Sequence, residues 1–296
     1  MGKWFTCLLL GFFFVDSALV DDSLGVIHKT VSEVELTVIA TDRSGRPVLH
    51  LSPEEVSVKE DGVPVRNFDL RSGSDLPLQV GIVLDLSGSM QRSWPMIRRV
   101  LSQSLGEILR PDDQVLLFAF DNHIKMEKVL ASPQALDLME IPKGGGLTAL
   151  YDALYTACNQ RMFLGSGTLR RAALVVFSDG EDNLSRHDLT ESVDSAEGAG
   201  VAVYSISIHN HQQHNGGDQV LTEMTSATGG RSFIAASDNE LASALDAIKD
   251  ELRGSYLLYY RSPSALNRKF RRVELLPTEP NGISLRSRAG YYPMRP

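Results

Sequence analysis

The sequence predicts an α/β fold in which a doubly wound, mostly parallel sheet carries helices on both faces. Between residues 77 and 252, apolar segments of strand length alternate with amphipathic segments of helix length, which is typical of strand–helix–strand units. Residues 25–73 and 254–296 show strand patterns only. Neither segment is large enough to bury a stable core alone. We therefore expect the two to pair as a small β-sandwich with the α/β domain inserted between them.

Apolar segments of five to eight residues predict the strands of the α/β domain. They are Val80–Leu84, Val115–Phe120, Ala172–Phe177, Val201–Ile208 and Ser232–Ala236, with Ile124–Leu130 as an antiparallel edge strand. Amphipathic periodicity predicts the helices between them. These are Met96–Leu109, Thr148–Met162, Leu189–Ala199, Gln219–Thr228 and Glu240–Arg253.

The two terminal segments contain the remaining predicted strands. Val34–Ala40 alternates apolar and polar residues, and Asp61-Gly62 predicts a tight hairpin turn after Val56–Glu60. We expect this part to end in a polar linker at Arg71–Asp75. The C-terminal strands are predicted at Tyr256–Tyr260, Phe270–Leu276 and Ile283–Ser287.

Oxygen-bearing side chains stand at three places where a strand ends or a helix begins. In an open α/β sheet, ligands bind outside the carboxyl ends of the strands, and hard oxygen ligands suit Mg²⁺ or Ca²⁺. Helix capping or turn chemistry is the alternative for each segment taken alone, but the three together favour a metal site. Its candidate ligands are Asp85, Ser87, Ser89, Thr148 and an acid of the segment Asp179–Asn183.

Roughly residues 77–252 resemble a von Willebrand factor type A domain, and these ligands resemble its metal-ion-dependent adhesion site. Asp85-Leu86-Ser87-Gly88-Ser89 matches Asp-x-Ser-x-Ser, Thr148 follows Gly146, and Asp179 precedes Gly180. The resemblance implies one divalent cation, usually Mg²⁺ with Mn²⁺ or Ca²⁺ as alternatives. It also implies an open coordination position for an Asp or Glu of a partner protein. Because Met90-Gln91-Arg92 replaces further acids, we expect no second metal beside it.

Further residues are expected to form the rim where a partner would bind. The rim residues are Gly88, Gly146, Gly180, Glu181 and Asp121. The turn at Asp42–Val48, the hairpin and the closing Arg288–Tyr292 also resemble bacterial secreted relatives of the same domain. We therefore expect a protein-binding module of the adhesion type and no enzymatic activity.

The N-terminal residues have the form of a secretory signal peptide, residues 1–17. A basic start is followed by the apolar stretch Trp4–Val15 and small residues for cleavage. We expect an exported protein, periplasmic or secreted, with no membrane span in the mature chain. An uncleaved leader that remains as an anchor is the alternative. The formal net charge of −8 argues against a nucleic-acid partner.

Three other interpretations are open at this point. His209, His211 and His214 could hold Zn²⁺ or Cu²⁺, or form a solvated loop. A metal-assisted hydrolase would need a general base, for which Glu181 and Asp182 are candidates, although solvated loop acids are the simpler interpretation. A structural or assembly protein of the cell envelope would leave the site without metal. Cys158, alone once the leader is removed, is predicted as a core residue.

Overall fold

The computed structural model describes residues 33–130, 140–160, 171–209, 216–263, 269–279 and 282–293. The predicted signal peptide, residues 1–17, lies outside the described residues, as do His211, His214 and the predicted helix end at Met162. In chain order the strands are β1 (Glu33–Thr41), β2 (Val56–Glu60), β3 (Val63–Pro64), β4 (Phe68–Ser72), β5 (Leu78–Asp85), β6 (Gln114–Phe120), β7 (Ile124–Leu130), β8 (Arg171–Phe177), β9 (Ala202–Ser207), β10 (Ser232–Ile234), β11 (Tyr256–Arg261), β12 (Arg271–Pro277), β13 (Ser284–Arg286) and β14 (Gly290–Tyr291). The α-helices are α1 (Trp94–Ile108), α2 (Leu150–Cys158), α3 (Leu189–Ala199), α4 (Gly216–Thr228) and α5 (Asp238–Arg253).

The central sheet has the strand order β10-β9-β8-β5-β6-β7. Every neighbouring pair is parallel except β6 and β7, which are antiparallel. β5 lies in the middle and every residue of it is buried, which explains the uninterrupted apolar segment Val80–Leu84. The predicted α/β class and the antiparallel edge strand are confirmed.

Helices cover both faces of this sheet. Alternate residues of β5 point to opposite faces, so Ile82 joins an apolar cluster with α1 and α5, whereas Val83 joins one with α2, α3 and α4. Each helix is amphipathic and buries its apolar side against the strands. The two clusters together form the core of the domain.

The terminal segments form two further four-stranded sheets, with orders β13-β1-β11-β4 and β14-β12-β2-β3. Each contains strands from before and after the α/β domain, and a third apolar cluster fills the space between them. The hairpin turn before β3 has positive φ at both Asp61 and Gly62, as a two-residue turn of this kind requires.

Two edge strands of the sandwich differ from the sequence expectation. Arg71 and Ser72, expected in a linker, lie in β4 and pair with β11. Their side chains are exposed, because an edge strand needs backbone partners on one side only and tolerates polar residues. β14 was not predicted, since two residues are too few for a periodic pattern. β10 is also shorter than predicted and ends at Ile234.

Arginine side chains bind the carboxyl-terminal ends of the helices on the side facing the sandwich. Arg171, buried at the start of β8, donates to the Leu252 carbonyl of α5, and Arg288 donates to the Glu197 carbonyl of α3. Arg253 donates to the Ile108 carbonyl of α1 at 2.9 Å. The last carbonyls of a helix lack intrahelical partners and carry partial negative charge, so these contacts stabilise the helix ends.

A buried ion cluster attaches α5 to the C-terminal strands. The side chain of Glu251 is 1% exposed, and its carboxylate lies 2.5 Å from Arg286 of β13 and 3.2 Å from Arg231. Removing one partner from a buried pair leaves a charge without compensation.

Among the described residues, no helix has the length and apolarity needed to cross a bilayer.

We predict that Arg286→Ala lowers the free energy of unfolding by about 3 kcal/mol, because the Glu251 carboxylate stays buried with only Arg231 beside it. Urea unfolding followed by circular dichroism measures the change. Arg46→Ala is the matched control, since Arg46 is 80% exposed in its pair with Asp42 and exposed pairs contribute little. Equal midpoint shifts in the two variants would contradict the prediction.

Candidate metal-binding site

Asp85 ends the central strand and is completely buried. Its Oδ2 accepts a hydrogen bond from the Ser178 hydroxyl at 2.7 Å, and its Oδ1 accepts the Ser87 N–H at 2.8 Å. Burial raises the pKa of Asp85 to about 6 although these hydrogen bonds oppose the increase, and the charge of Asp179 adds to it. No described Lys or Arg forms an ion pair with Asp85. A cation at this carboxylate would therefore meet an uncompensated buried charge.

The two serines of the first loop lie side by side. Ser87 is 2% exposed, whereas Ser89 is exposed at the start of a short 3₁₀ turn, Ser89–Arg92. Their hydroxyl oxygens are 3.1 Å apart. Two neutral oxygens at this separation can serve as adjacent ligands of one ion.

Thr148 is placed before the first turn of α2, and it is not the helix cap. The N-cap position is Ala149, without a side-chain cap hydrogen bond, so the capping alternative for Thr148 is wrong. The Thr148 N–H donates to the Asn183 side-chain oxygen at 2.9 Å. Its carbonyl accepts the N–H groups of Asn183 and Leu184 at 3.0 and 3.1 Å.

Asp179 follows β8, and its Oδ1 accepts the Glu181 N–H at 3.3 Å. The next residue, Gly180, has φ +79°, and a Cβ there would lie 2.2 Å from the Gly217 carbonyl oxygen. Only glycine allows this backbone conformation and this close approach to α4. The turn therefore holds Asp179 at the carboxyl edge of the sheet, where its charge interacts with Asp85.

Backbone hydrogen bonds join the first and second ligand loops. The Gly88 N–H donates to the Gly146 carbonyl at 3.2 Å, and the Gly145 N–H donates to the Leu86 carbonyl at 2.8 Å. A Cβ on Gly144 would be 1.9 Å from the Leu86 oxygen, and Gly145 has φ +125°, which explains these two glycines physically. With the contacts of Thr148 to the third loop, these bonds bring all three predicted segments together.

The expected rim residues differ in exposure. Gly88 and Glu181 are exposed, while Gly180 is buried. Asp121 is 1% exposed and lies against Gly146, with its Oδ2 2.6 Å from the Lys125 ammonium.

Asp121 therefore supports the second loop from the interior. Its carbonyl accepts the Ala149 N–H at 2.8 Å, and its Oδ1 accepts the Asn122 N–H at 2.6 Å. Burial would raise the pKa of Asp121, but the hydrogen bonds and the charge of Lys125 together lower it. The carboxylate remains ionised beneath the glycine run.

Sequence analysis missed three supporting residues. Ser178 holds Asp85, and Asn183 holds Thr148, as described above. Asp182, interpreted as a solvated acid, instead accepts the Tyr151 N–H of α2 at 3.0 Å and the Ser185 hydroxyl at 2.6 Å. Only Ser178 carried a sequence signal, its position between β8 and Asp179. Asp182 reaches a helix that begins 32 residues earlier in the chain, which no local pattern reveals.

The histidine loop is only partly described. The His209 side chain is 9% exposed, and its Nε2 lies 2.9 Å from Asp218 of α4, so this residue packs largely against the protein. Across the described ranges, no group of three or more His, Cys, Asp or Glu side chains is arranged to hold a metal ion. The predicted site depends on hydroxyl donors beside Asp85 and Asp179. Cys158 is buried in the core, as predicted, and burial raises its thiol pKa.

The structure is thus an α/β domain with a candidate cation site of oxygen donors at the carboxyl edge of its sheet, where open α/β folds bind ligands. The sequence profile of the von Willebrand factor type A domain matches residues 79–247, which is more than half of the chain. The chain therefore belongs to the von Willebrand factor type A family. Domains of this family typically mediate protein–protein interactions and often bind a divalent metal.

Several solved structures resemble this chain at low sequence identity. A von Willebrand factor type A protein from Catenulispora acidiphila has a TM-score of 0.48 and 13% identity, over 83% of this chain and 76% of its own. An aerotolerance-related membrane protein from Bacteroides fragilis has a TM-score of 0.46 and 18% identity, over 59% and 98%. Proximal thread matrix protein 1 from the mussel byssus has a TM-score of 0.49 and 15% identity, over 64% and 49%, so this chain spans about half of its length. No curated protein matches the chain.

We predict that Asp85→Asn stabilises the metal-free protein at pH 7 by up to about 3 kcal/mol, because it removes a buried charge whose folded pKa is about 6. The folded state holds the Asp85 proton more tightly than the unfolded chain. Wild-type stability from this group is therefore present at low pH and is lost as pH rises from about 4 through 6. The advantage of Asp85→Asn should shrink to about 1 kcal/mol at pH 4.5.

Urea unfolding in EDTA at pH 4.5 and 7 measures this difference. An advantage of the same size at both pH values would contradict the assigned ionisation of Asp85. Asp112→Asn, at an exposed site between α1 and β6, is the control for general charge effects.

Proposed function

We propose that this protein binds a partner protein by holding a divalent cation that accepts an Asp or Glu side chain of the partner. The uncompensated buried carboxylate of Asp85, at the point where three mutually bonded loops meet, carries the proposal. Asp85, Ser87, Ser89, Thr148 and Asp179 are the residues that would hold the ion.

The donor chemistry favours Mg²⁺, with Mn²⁺ or Ca²⁺ as alternatives. Three of the five donors are neutral hydroxyls, and carboxylate and hydroxyl oxygens are hard ligands. Mg²⁺ takes six oxygen ligands, so five protein donors leave one coordination position that a further carboxylate can fill. When bound, the ion supplies an electrophilic position for the partner's carboxylate. The protein's residues supply orientation and a fixed frame.

The supporting contacts favour binding over hydrolysis. The carboxylate of Asp182, a general-base candidate, already accepts hydrogen bonds from the Tyr151 N–H and the Ser185 hydroxyl. Glu181 is exposed and its side chain has no orienting partner among the contacts described for the loop. A general base must be positioned within hydrogen-bond reach of its proton. We therefore propose a binding module and not an enzyme.

We further propose that residues 1–17 direct export and that the mature protein acts outside the cytosol. In this organisation residues 25–73 and 254–296 form the supporting sandwich, and residues 77–252 form the binding domain. The basic and apolar N-terminal sequence carries the export proposal. Expression with a fused reporter that is active only after export tests it, and deletion of residues 1–17 should abolish the signal.

We predict that Thr148→Ala weakens Mg²⁺ binding at least about tenfold, because it removes one ligand oxygen from a site that already contains neutral donors. Isothermal calorimetry with Mg²⁺ and Mn²⁺ measures the affinity. Thr190→Ala, at an exposed position of α3, is the matched control and should bind as wild type does. Unchanged affinity in Thr148→Ala, or no saturable binding by the wild type, would favour the structural alternative.

We also predict that Asp85→Ala abolishes partner capture without unfolding the protein. A pull-down from an envelope extract, run in Mg²⁺ and then in EDTA, measures capture, and thermal melting in EDTA checks the fold. Partners retained equally in Mg²⁺ and EDTA would exclude the metal as the contact. A large loss of folding in Asp85→Ala would make this residue part of the scaffold.

A further inference from the structure

Two exposed leucines stand on the loops that carry the proposed metal ligands. Leu147 is 55% exposed and Leu184 is 44% exposed. Single exposed apolar side chains are ordinary, but these two flank the same ligand. Leu147 directly precedes Thr148, and the Leu184 N–H donates to the Thr148 carbonyl at 3.1 Å. The backbone of each leucine is therefore directly joined to Thr148, by the peptide bond for Leu147 and by a hydrogen bond for Leu184.

The backbone that carries these leucines is fixed by the surrounding structure. The Asn183 side chain accepts the Thr148 N–H, and Asp182 is bonded to the start of α2. Neither leucine belongs to the apolar clusters formed by the described residues, so the core does not require them. Exposed apolar side chains on an ordered backbone are preorganised for contact, which lowers the entropic cost of binding.

The net charge of the chain bears on how such an apolar contact would contribute to partner binding. The formal net charge of −8 disfavours long-range attraction of acidic partners. A single carboxylate on the ion would then provide little selectivity among acidic proteins. Burying apolar surface beside the ion adds affinity that neither salt nor net charge weakens.

We propose that Leu147 and Leu184 select partner segments in which a large apolar residue lies two positions from the captured Asp or Glu. In an extended chain, side chains two residues apart point to the same side and lie about 7 Å apart. An acidic side chain directed at the ion thus places its second neighbour over the surrounding loops. This inference rests on the proposed function and adds the sequence class of the partner.

Synthetic fluorescent peptides test the proposal in millimolar Mg²⁺. Three peptides share a Gly/Ser background. The first has a central Asp with Leu at both positions two residues away, and the second has the same Asp with Ser at those positions. The third has Leu at those positions and a central Asn in place of Asp. We expect the Leu-flanked Asp peptide to bind wild-type protein about tenfold more tightly than the Ser-flanked peptide, as measured by fluorescence anisotropy. The Leu147→Ser/Leu184→Ser double variant should reduce this preference to less than about threefold.

Leu49→Ser is the matched control, because Leu49 is 67% exposed and lies between β1 and β2 in the sandwich. It should keep the full preference. Equal affinity of wild type for the Leu-flanked and Ser-flanked peptides would overturn the inference and leave the proposed function standing, and a preference that persists in the double variant would overturn it as well.

Two further outcomes test carboxylate capture and the role of the two leucines separately. Equal binding of the Asp and Asn peptides in Mg²⁺ would overturn carboxylate capture itself and the inference with it. Calorimetric titration of the double variant with Mg²⁺ is the second check. Loss of Mg²⁺ uptake there would assign the leucines to support of the ligand loops and overturn their role in partner selection.

Discussion

The buried carboxylate at the end of the central strand is the constraint on which the site depends. β5 is paired on both sides and fully buried, so Asp85 cannot move toward solvent without breaking the sheet. Its two oxygens are already held by Ser178 and Ser87. These bonds orient the group but do not neutralise it, because hydroxyl and amide donors carry no net charge. A bound cation would supply the missing compensation at the one place where the fold cannot relax.

The surrounding loops hold the other proposed ligands in fixed positions near Asp85. Backbone hydrogen bonds join each ligand loop to the next, from the Gly88 N–H to the Gly146 carbonyl and from the Asn183 N–H to the Thr148 carbonyl. Because the bonds involve the main chain, they depend on close approach and not on side-chain identity, which is why glycines dominate the second loop. Preorganised ligands lose less conformational entropy when an ion binds. Rigidity and the raised pKa of Asp85 thus have a common cause in dense packing.

The sequence indicated the buried strands and the candidate ligands, but it did not indicate the contacts between segments that are distant in the chain. Uninterrupted apolar segments identified β5, β6 and β8 because strands buried on both faces need no polar residues. The ligand candidates were visible since each follows such a segment or a glycine run. Contacts between segments distant in the chain were not visible, such as Ser178 with Asp85 or Asp182 with α2. The edge strand β4 was missed for a related reason, because solvent tolerates its polar residues and its pairing with β11 is a tertiary feature.

The direction of the strands separates the site from the supporting sandwich. Asp85 and Asp179 follow the carboxyl ends of β5 and β8, whereas Arg171 begins β8 and binds the end of α5 and the Leu76 carbonyl before β5. A strand of eight residues spans about 26 Å. The arginines that bind the helix ends therefore lie at the opposite edge of the sheet from the ligands. In the proposed function, a partner approaches the ligand edge on the side away from the sandwich. A pull on its carboxylate is then transmitted along β5 to Leu76, whose carbonyl accepts a hydrogen bond from Arg171.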